Sequence, residues 1–252
     1  MDFYLRVAEI VQSGGRAVLV TAIDGPAAGK KLLYGQAGPA GEPGVLHSNL
    51  PDQLAAEAAE AARGAWGLSP GATGTGGAQG ARYFREVFGS PPRLLILGGG
   101  HIALSLCQMA HLLGYRIVVV DDRPSFANQA RFPQADEVIC GDFREVLARL
   151  RIGPETYAVV VTRGHRQDEE CLDHLLRTEA AYVGSIGSRR RIAIVRERLR
   201  ESGIPAGRID ELHAPIGLDI GSETPAEIAL AILAEITVVR KEREGRLKRK
   251  HG

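Results

Sequence analysis

The chain of 252 residues lacks long hydrophobic runs, has few aromatic residues, and shows no excess of charge of one sign. A membrane-spanning helix needs about 20 consecutive apolar residues, and no stretch approaches that length. The first residues also lack the basic segment, apolar core and cleavage site of a secretory signal. Because 44% of the residues are hydrophobic, a real core can form. We therefore expect a globular protein of the cytoplasm with no membrane as partner.

The charges exclude nucleic acid as a main partner. The chain carries 31 basic and 30 acidic side chains, interspersed, for a formal net charge of +1. The exception is the basic stretch 240–251, which has no aromatic residues between its charges. We interpret it as a solvated end of the chain and not as an RNA-binding arm.

Cysteine is also scarce. The three residues, Cys107, Cys140 and Cys171, are odd in number and show no C-x-x-C spacing. This pattern argues against a disulfide framework and against a zinc site, so we predict no bound metal ion. We expect Cys107 in the core and Cys140 at the tip of a strand, where burial is favoured over a reactive role.

Glycine, by contrast, is abundant and concentrated. Residues 70–80 contain almost no side chain able to bury surface, which predicts a flexible linker. We therefore predict a small α+β domain at 1–70, a glycine-rich linker at 71–82 and a larger domain at 83–252. The small domain is expected to contain helices at 3–13 and 50–66, and strands at 17–23 and 31–34.

The larger domain shows the alternation of strands and helices that is typical of a parallel sheet. After a strand at 83–87, we predict strands at 94–97, 116–120, 137–139, 158–162 and 181–183. The last helix begins with a capping box of Thr224, Pro225 and Glu227 and runs to about residue 239. The predicted fold class is α/β, with a Rossmann-like doubly wound sheet following a smaller α+β domain.

The segment 93–103 carries the pattern G-x-G-x-x-A directly after an apolar run. In such a pattern Gly98 permits a tight turn, Gly100 permits close approach of a pyrophosphate, and the free amides of the next helix attract its charge. We therefore predict ligand contacts along the loop and the first helical turn, from Gly98, Gly99, Gly100, His101, Ile102 and Ala103. His101 could reach a phosphate or simply lie on the surface.

Polar residues follow the predicted strands, where open α/β sheets bind ligands. Asp121 suits a ribose diol, whereas Arg123 suits a 2′-phosphate or another anion, so the cofactor preference stays open. Arg163 and His165 follow a later strand. His165 is the candidate catalytic acid or base, with capping of the next helix as the alternative.

A second glycine-containing turn follows the last predicted strand. Gly184, Gly187 and Ser188 precede a helix that begins with Arg189, which is typical of an anion-binding nest. A plain loop beside a solvated arginine face is the alternative interpretation. The segment 213–225 combines constrained turns with two acids, Asp219 and Glu223, and we predict that a ligand or another part of a protein docks there.

Together these residues resemble the XdhC/CoxI family. The similarity lies in residues 91–103, 120–127, 135–138, 182–190 and above all 215–229, and it extends over about residues 83–240. The resemblance implies an accessory protein that matures xanthine dehydrogenase, carbon monoxide dehydrogenase and related molybdenum hydroxylases. Such a protein binds molybdenum cofactor, as molybdopterin or its dinucleotide, while a cysteine desulfurase supplies sulfur, and then passes it to the hydroxylase apoenzyme.

The first part of the chain departs from that family. Only residues 25–31 echo its Gly-Ser-x-Pro segment, and its cysteine-bearing motif is absent. Two other functions stay as alternatives to the accessory protein that binds and transfers molybdenum cofactor. They are an NAD(P)-dependent oxidoreductase and a nucleotide-sensing domain, with NAD(P) as the ligand in place of the pterin. We also expect a homodimer, because dimers are common among soluble proteins.

Overall fold

The computed structural model describes residues 2–13, 15–36, 43–66, 70–78, 81–89 and 91–243. The chain divides into two compact units, and the boundary falls between Pro91 and Pro92. Of the basic stretch predicted at 240–251, the structure describes residues 240–243, and the rest lies outside the described residues.

The first unit is built on an antiparallel sheet. Its helices are α1 (Phe3–Gln12) and α2 (Asp52–Trp66), with a short 3₁₀ turn at Gly25–Ala27. Its strands are β1 (Arg16–Ala22), β2 (Lys31–Gln36), β3 (Gly44–Ser48), β4 (Thr73–Ala78) and β5 (Ala81–Phe88). The strand order is β3-β2-β1-β5-β4, and every pair is antiparallel.

The central strand β1 shows how this sheet buries both faces. Successive side chains of a strand point to opposite faces. Val18 and Val20 belong to the cluster that α2 covers, whereas Ala17 and Leu19 belong to the cluster that α1 covers. One helix on each face therefore completes the unit's core.

The structure corrects the predicted linker at 71–82. Residues Thr73–Ala78 form β4, which pairs with β5 from Thr73 opposite Glu86 to Ala78 opposite Ala81; residues 79 and 80 lie outside the described part. Backbone hydrogen bonds hold this strand, and its glycines offer no side-chain pattern from which it could be predicted. The strand expected at 83–87 is part of β5, and so it belongs to the first unit and not to the second.

The second unit, Pro92–Arg240, alternates strands and helices. Its strands are β6 (Arg93–Leu97), β7 (Arg116–Asp121), β8 (Glu137–Cys140), β9 (Thr156–Val160) and β10 (Tyr182–Ser185). Its helices are α3 (His101–Leu112), α4 (Phe143–Arg149), α5 (His165–Leu175), α6 (Arg189–Glu201), α7 (Ala206–Asp210) and α8 (Pro225–Arg243).

The second sheet has the order β10-β9-β6-β7-β8, and all of its pairs are parallel. Counted along the chain, its five strands lie in the order 5-4-1-2-3, which is the Rossmann arrangement. The predicted fold class is therefore confirmed. Strand β9 begins two residues earlier than predicted, and β10 extends to Ser185.

Alternating side chains of β6 build two cores, one on each face of the parallel sheet. Leu94 and Ile96 pack in a cluster with residues of α3 and α8. Leu95 and Leu97 pack in a second cluster with residues of α4, α5, α6 and α7. Every one of these four leucine and isoleucine side chains is fully buried. The sheet is therefore covered on both faces, and only its edges and ends are open to a ligand.

The predicted capping box at the start of α8 is confirmed. A carboxylate oxygen of Glu227 accepts hydrogen bonds from the amides of Glu223 and Thr224, at 2.9 and 2.8 Å, and the Thr224 hydroxyl accepts from the Glu227 amide. Cys107 is buried in α3 as predicted, but Cys140 is exposed, because it ends the edge strand β8. Within the described ranges, none of the helices has the length and apolar content needed to span a membrane.

Candidate functional site

The strand order makes the carboxyl end of β6 the topological switch point of the parallel sheet, and we call this position the crevice. From β6 the chain continues to β7 and β8 on one side, and it later returns to β9 and β10 on the other. The loops that follow β6 and β9 therefore leave the sheet in opposite directions. Ligands of open α/β sheets bind at such a point, outside the carboxyl ends of the strands.

The glycine loop, residues Gly98 to Gly100, begins at this crevice and is packed from two sides. Gly98 has φ of +110°, and a Cβ there would lie 2.5 Å from the Val161 carbonyl oxygen. A Cβ on Gly99 would lie 2.3 Å from the Phe126 carbonyl oxygen. By contrast, no heavy atom lies within 4 Å of a Cβ on Gly100. The loop is therefore tightly held at its first two glycines and open at the third.

Gly100 is also the N-cap of α3 and offers no side-chain acceptor to the first-turn amides. Such amides carry the positive end of the helix dipole and suit an anion. His101 is exposed at the first helical position, Ile102 is partly buried, and Ala103 is fully buried in the core. Ala103 thus permits close packing of helix on sheet, and any ligand contact from Ala103 itself comes from its backbone.

Asp121, at the end of β7, lies beneath the glycine loop and is only 1% exposed. Its Oδ2 accepts from the Gly99 amide at 2.7 Å and from the Arg123 guanidinium at 2.9 Å, and its Oδ1 accepts from Arg123 Nε at 2.8 Å. Burial alone would raise the pKa of this carboxyl, but the hydrogen bonds from Arg123 and Gly99 outweigh it and hold the pKa below its ordinary value.

Both oxygens of Asp121 are thus engaged inside the protein. A ribose diol would have to displace the Gly99 amide or the Arg123 guanidinium to reach them, and so the geometry gives no support to the predicted ribose contact. The carboxylate instead fixes the glycine loop. Arg123 in turn stacks on Phe126, with 3.6 Å from its guanidinium carbon to the ring centre.

Arg131 is a residue of this site that sequence reasoning missed. It follows β7 in an irregular segment, and its Nε donates to the Gly99 carbonyl oxygen at 3.1 Å. Its guanidinium carbon also lies 5.0 Å from the centre of the Phe126 ring. No motif singles out Arg131, because its approach to the loop depends on the path of residues 122–136 after the strand.

Asp122 links the two sides of the crevice. Its Oδ2 accepts from Gln167 Nε2 at 2.8 Å and lies 3.7 Å from Arg163 Nη2. Asp122 follows β7, whereas Arg163 and Gln167 follow β9, so this contact passes the end of β6. The structure therefore brings Arg163 to the crevice as predicted. His165 begins α5 after the N-cap Gly164, and its side chain lies outside the described part of the chain.

A buried ion pair joins the starts of α5 and α6. Asp168 is 1% exposed and accepts hydrogen bonds from the Thr162 hydroxyl and from Arg191. It therefore ties the end of β9 to α6. The Ser188 hydroxyl accepts from the Arg191 amide at 3.3 Å and so caps α6, and Arg189 is exposed beside it.

The two glycines of the predicted nest, Gly184 and Gly187, pack against neighbouring side chains. Gly184 lies within β10, and a Cβ there would lie 2.6 Å from both Ile216 Cδ1 and the Tyr182 hydroxyl. A Cβ on Gly187 would lie 2.9 Å from Ile192 Cδ1. Both glycines therefore serve internal packing, because neighbouring side chains occupy the space that a side chain at these positions would need.

The segment 213–218 docks internally. Two backbone hydrogen bonds of 3.0 Å join this segment to β10: the Ser185 amide donates to the His213 carbonyl oxygen, and the Ile216 amide donates to the Ser185 carbonyl oxygen. The Gly217 amide donates to the Glu235 carboxylate, also at 3.0 Å. Burial alone would raise the pKa of Glu235, but hydrogen bonds from His213 and Tyr182 hold it below its ordinary value. Asp219 and Glu223 are exposed, and in the part of the chain that the structure describes no side-chain hydrogen bond joins them to the glycine loop.

Chemically, this end of the sheet is suited to an anion. Arg123 and Arg191 are paired with buried carboxylates, and Arg163 lies near Asp122, while Arg131 and Arg189 form no ion pair with any described residue. Of these arginines, Arg131 contacts the glycine loop, and together with the first-turn amides of α3 it supplies positive charge beside Gly100. A ligand carrying phosphate groups fits this donor set.

The order and direction of the strands in the second unit define a Rossmann-type domain. Residues 94–236, more than half of the chain, match the XdhC Rossmann domain family, and the chain belongs to the XdhC family. The resemblance inferred from the motifs is thereby confirmed.

Two curated proteins and one solved structure are similar to the chain. An uncharacterized protein of Escherichia coli K12, YqeB, is 37% identical over 165 residues, which are 65% of this chain and 30% of that protein. A protein of Bacillus subtilis 168, named as a probable xanthine dehydrogenase subunit, is 32% identical over 150 residues, 60% of this chain and 43% of that protein. The chain thus spans less than half the length of these curated relatives.

The solved structure is that of a xanthine dehydrogenase from Bacillus halodurans. It aligns with 98% of this chain and 65% of its own, with a TM-score of 0.67 and 24% identity. At this level of identity the similarity establishes the fold.

Proposed function

We propose that this protein is an accessory factor for a xanthine dehydrogenase-type molybdenum hydroxylase and that it binds molybdenum cofactor in the crevice at β6. The pyrophosphate or phosphate end of the pterin lies against Gly100 and the first turn of α3. A cysteine desulfurase and the hydroxylase apoenzyme are its partners, and it acts in the cytoplasm as a homodimer.

Membership of the XdhC family supports this proposal, as does the name of the Bacillus subtilis relative, which describes a probable part of a xanthine dehydrogenase. The observation that carries it is the open glycine loop. Gly98 and Gly99 are wedged against carbonyl oxygens, but Gly100 leaves free space at an uncapped helix start. Backbone amides can approach a phosphate closely at such a position.

The residues of the crevice fit the proposed cofactor. When bound, the cofactor supplies a phosphate-bearing pterin whose dithiolene group holds the molybdenum. The protein's part is to bind and orient it: the α3 amides and nearby arginines attract the phosphate, and the Asp121 carboxylate keeps the loop in position through the Gly99 amide. Asp122, with Gln167 and Arg163, offers an acceptor on the other side of β6.

The same glycine loop is also compatible with a second function. A nicotinamide dinucleotide also places its pyrophosphate at such a loop, so an NAD(P)-dependent oxidoreductase or a nucleotide sensor is the second candidate. The hydrogen bonds of Asp121 weigh against this second candidate, because the carboxylate has no free oxygen for a ribose diol.

The proposal is tested by producing the protein in cells that make molybdenum cofactor and measuring pterin that copurifies with it. We expect oxidised pterin fluorescence in a stoichiometric amount, and activation of a hydroxylase apoenzyme when the loaded protein is added. Gly100→Asp, which places a negative charge at the open glycine, should lose both. Copurified NAD or NADP without pterin would replace the proposal with the second candidate.

A further inference from the structure

The guanidinium of Arg131 is attached to the glycine loop by one nitrogen only. Its Nε donates to the Gly99 carbonyl oxygen at 3.1 Å, and its backbone amide donates to the Asn128 side-chain oxygen at 3.0 Å. The Phe126 ring, 5.0 Å from the guanidinium carbon, lies close by and restricts the side chain further. These contacts, together with the Phe132 ring centre 5.8 Å from the guanidinium carbon, hold Arg131 beside the loop, while its terminal nitrogens Nη1 and Nη2 make no hydrogen bond with the described residues.

This arrangement differs from that of the other partly buried arginines at this end of the sheet. Arg123 donates two guanidinium hydrogen bonds to the Asp121 carboxylate, and Arg191 donates to the Asp168 carboxylate. Across the described ranges, no carboxylate forms an ion pair with Arg131. Its positive charge is thus positioned by the protein but not neutralised by it.

Arg131 also contacts the loop at the residue next to the open position. Gly99 carries the carbonyl that Arg131 binds, and Gly100, where a Cβ would meet no atom within 4 Å, follows directly. A guanidinium presents its two terminal nitrogens as a planar fork, which matches two oxygens of one phosphate group.

We propose that Arg131 is a phosphate-binding residue of this crevice and that its terminal nitrogens bind a phosphate group of the ligand lying against Gly100. The inference rests on the proposed binding of a phosphate-bearing ligand at the glycine loop. It adds a residue outside the glycine pattern, and it gives the class of ligand group that this residue recognises: a phosphate monoester or pyrophosphate. Nε keeps its hydrogen bond to Gly99, so that the same side chain orders the loop and binds the anion.

The test is calorimetric titration of the purified full chain with inorganic pyrophosphate. Arg131→Gln removes the charge and the fork, and we expect binding weaker by on the order of tenfold or more, because charge-assisted bidentate hydrogen bonds are lost. Arg131→Lys keeps the charge but not the fork, so its affinity should fall between those of the native protein and Arg131→Gln. Arg116→Gln is the matched control, since it removes an exposed arginine at the amino end of β7, the opposite end of the sheet.

The outcomes separate this inference from the proposed function. Binding by the native protein that is unchanged in Arg131→Gln would overturn the role of Arg131 and leave the crevice as the phosphate site. Equal losses in Arg131→Gln and Arg116→Gln would also overturn it, because they would indicate general charge attraction. Absence of pyrophosphate binding by the native protein would contradict the phosphate site itself. If Arg131→Gln does not fold, Arg131→Lys decides, and native-like affinity in that variant would reject the fork.

Discussion

Two glycine-rich regions of this chain have opposite relations to their surroundings. In β4, Gly74 and Gly76 lie under the Arg85 side chain, where an added Cβ would make only ordinary contacts of 3.5 and 3.4 Å with its flexible end. In the glycine loop, a Cβ on Gly98 or Gly99 would overlap backbone carbonyl oxygens. A high glycine content therefore has no single meaning. What matters is the atoms that surround the missing side chain.

The largest effect is expected at Gly98. Gly98→Ala forces a Cβ to within 2.5 Å of the Val161 carbonyl oxygen at a residue with φ of +110°. We expect the free energy of unfolding to fall by about 3 kcal/mol or more, since backbone strain and a steric overlap add. Urea denaturation measures this. Gly114→Ala is the control, because Gly114 has φ of +74° but no atom within 4 Å of a Cβ; equal losses in both variants would contradict the overlap.

Asp121→Asn should have the next largest effect. It removes the carboxylate that binds the Gly99 amide and the Arg123 guanidinium, and breaking a buried pair of this kind costs about 3 kcal/mol. Because the native state lowers the pKa of Asp121, its stabilising contribution is present above the carboxyl's ordinary pKa of 3.8 and is lost as pH falls through the folded value.

Denaturation curves recorded from neutral to acid pH test this prediction. The stability difference between the native protein and Asp121→Asn should be largest at neutral pH and should shrink in acid. A difference that stays constant through the acid range would show that the Asp121 charge does not hold the loop.

Gly100→Ala should barely change stability, although it alters the same loop. A Cβ at this position meets no atom, and φ is −71°, which is acceptable to alanine. We expect the free energy of unfolding to change by less than about 1 kcal/mol, the range of an N-cap substitution. Thermal unfolding measures it, and a loss as large as that of Gly98→Ala would mean that the loop is closed at Gly100.

The smallest effect is expected in β4. Glycine in the interior of a strand is less stable than alanine by about 0.5–1 kcal/mol, and the Arg85 side chain can move aside for a Cβ on Gly76. Gly76→Ala should therefore leave stability unchanged or raise it by about 0.5 kcal/mol. Chemical denaturation decides, and a clear loss would show that Arg85 requires a bare glycine surface beneath it.

The parallel sheet could be predicted from the sequence because each of its strands is a short apolar run of consecutive residues. The run at Leu94–Leu97 and the capping box at Thr224 are local patterns, and each was found close to its observed position. Strand β4 could not be predicted in this way, because glycines have no side chains to show a period. Its pairing with β5 is a property of the backbone.

The candidate site was predicted in part. The glycine loop and Arg163 lie where the strand ends indicated, but the direction of the Asp121 side chain depends on Arg123, which folds back onto it. Gly184 looked like part of an anion-binding turn, yet Ile216, thirty-two residues away, fills the space next to it. Arg131 reaches Gly99 from the same distance in sequence. Contacts of this range follow from the folded path of the chain and leave no local signal.

The most direct test of the central claim is calorimetric titration of the native protein and of Gly100→Asp with molybdopterin-type cofactor, and separately with NAD and NADP. Our account predicts that the native protein binds the pterin tightly, that NAD and NADP bind weakly or not at all, and that Gly100→Asp loses pterin binding while unfolding at the native temperature. Native-like pterin affinity in the folded variant, or binding of NAD or NADP alone, would contradict it.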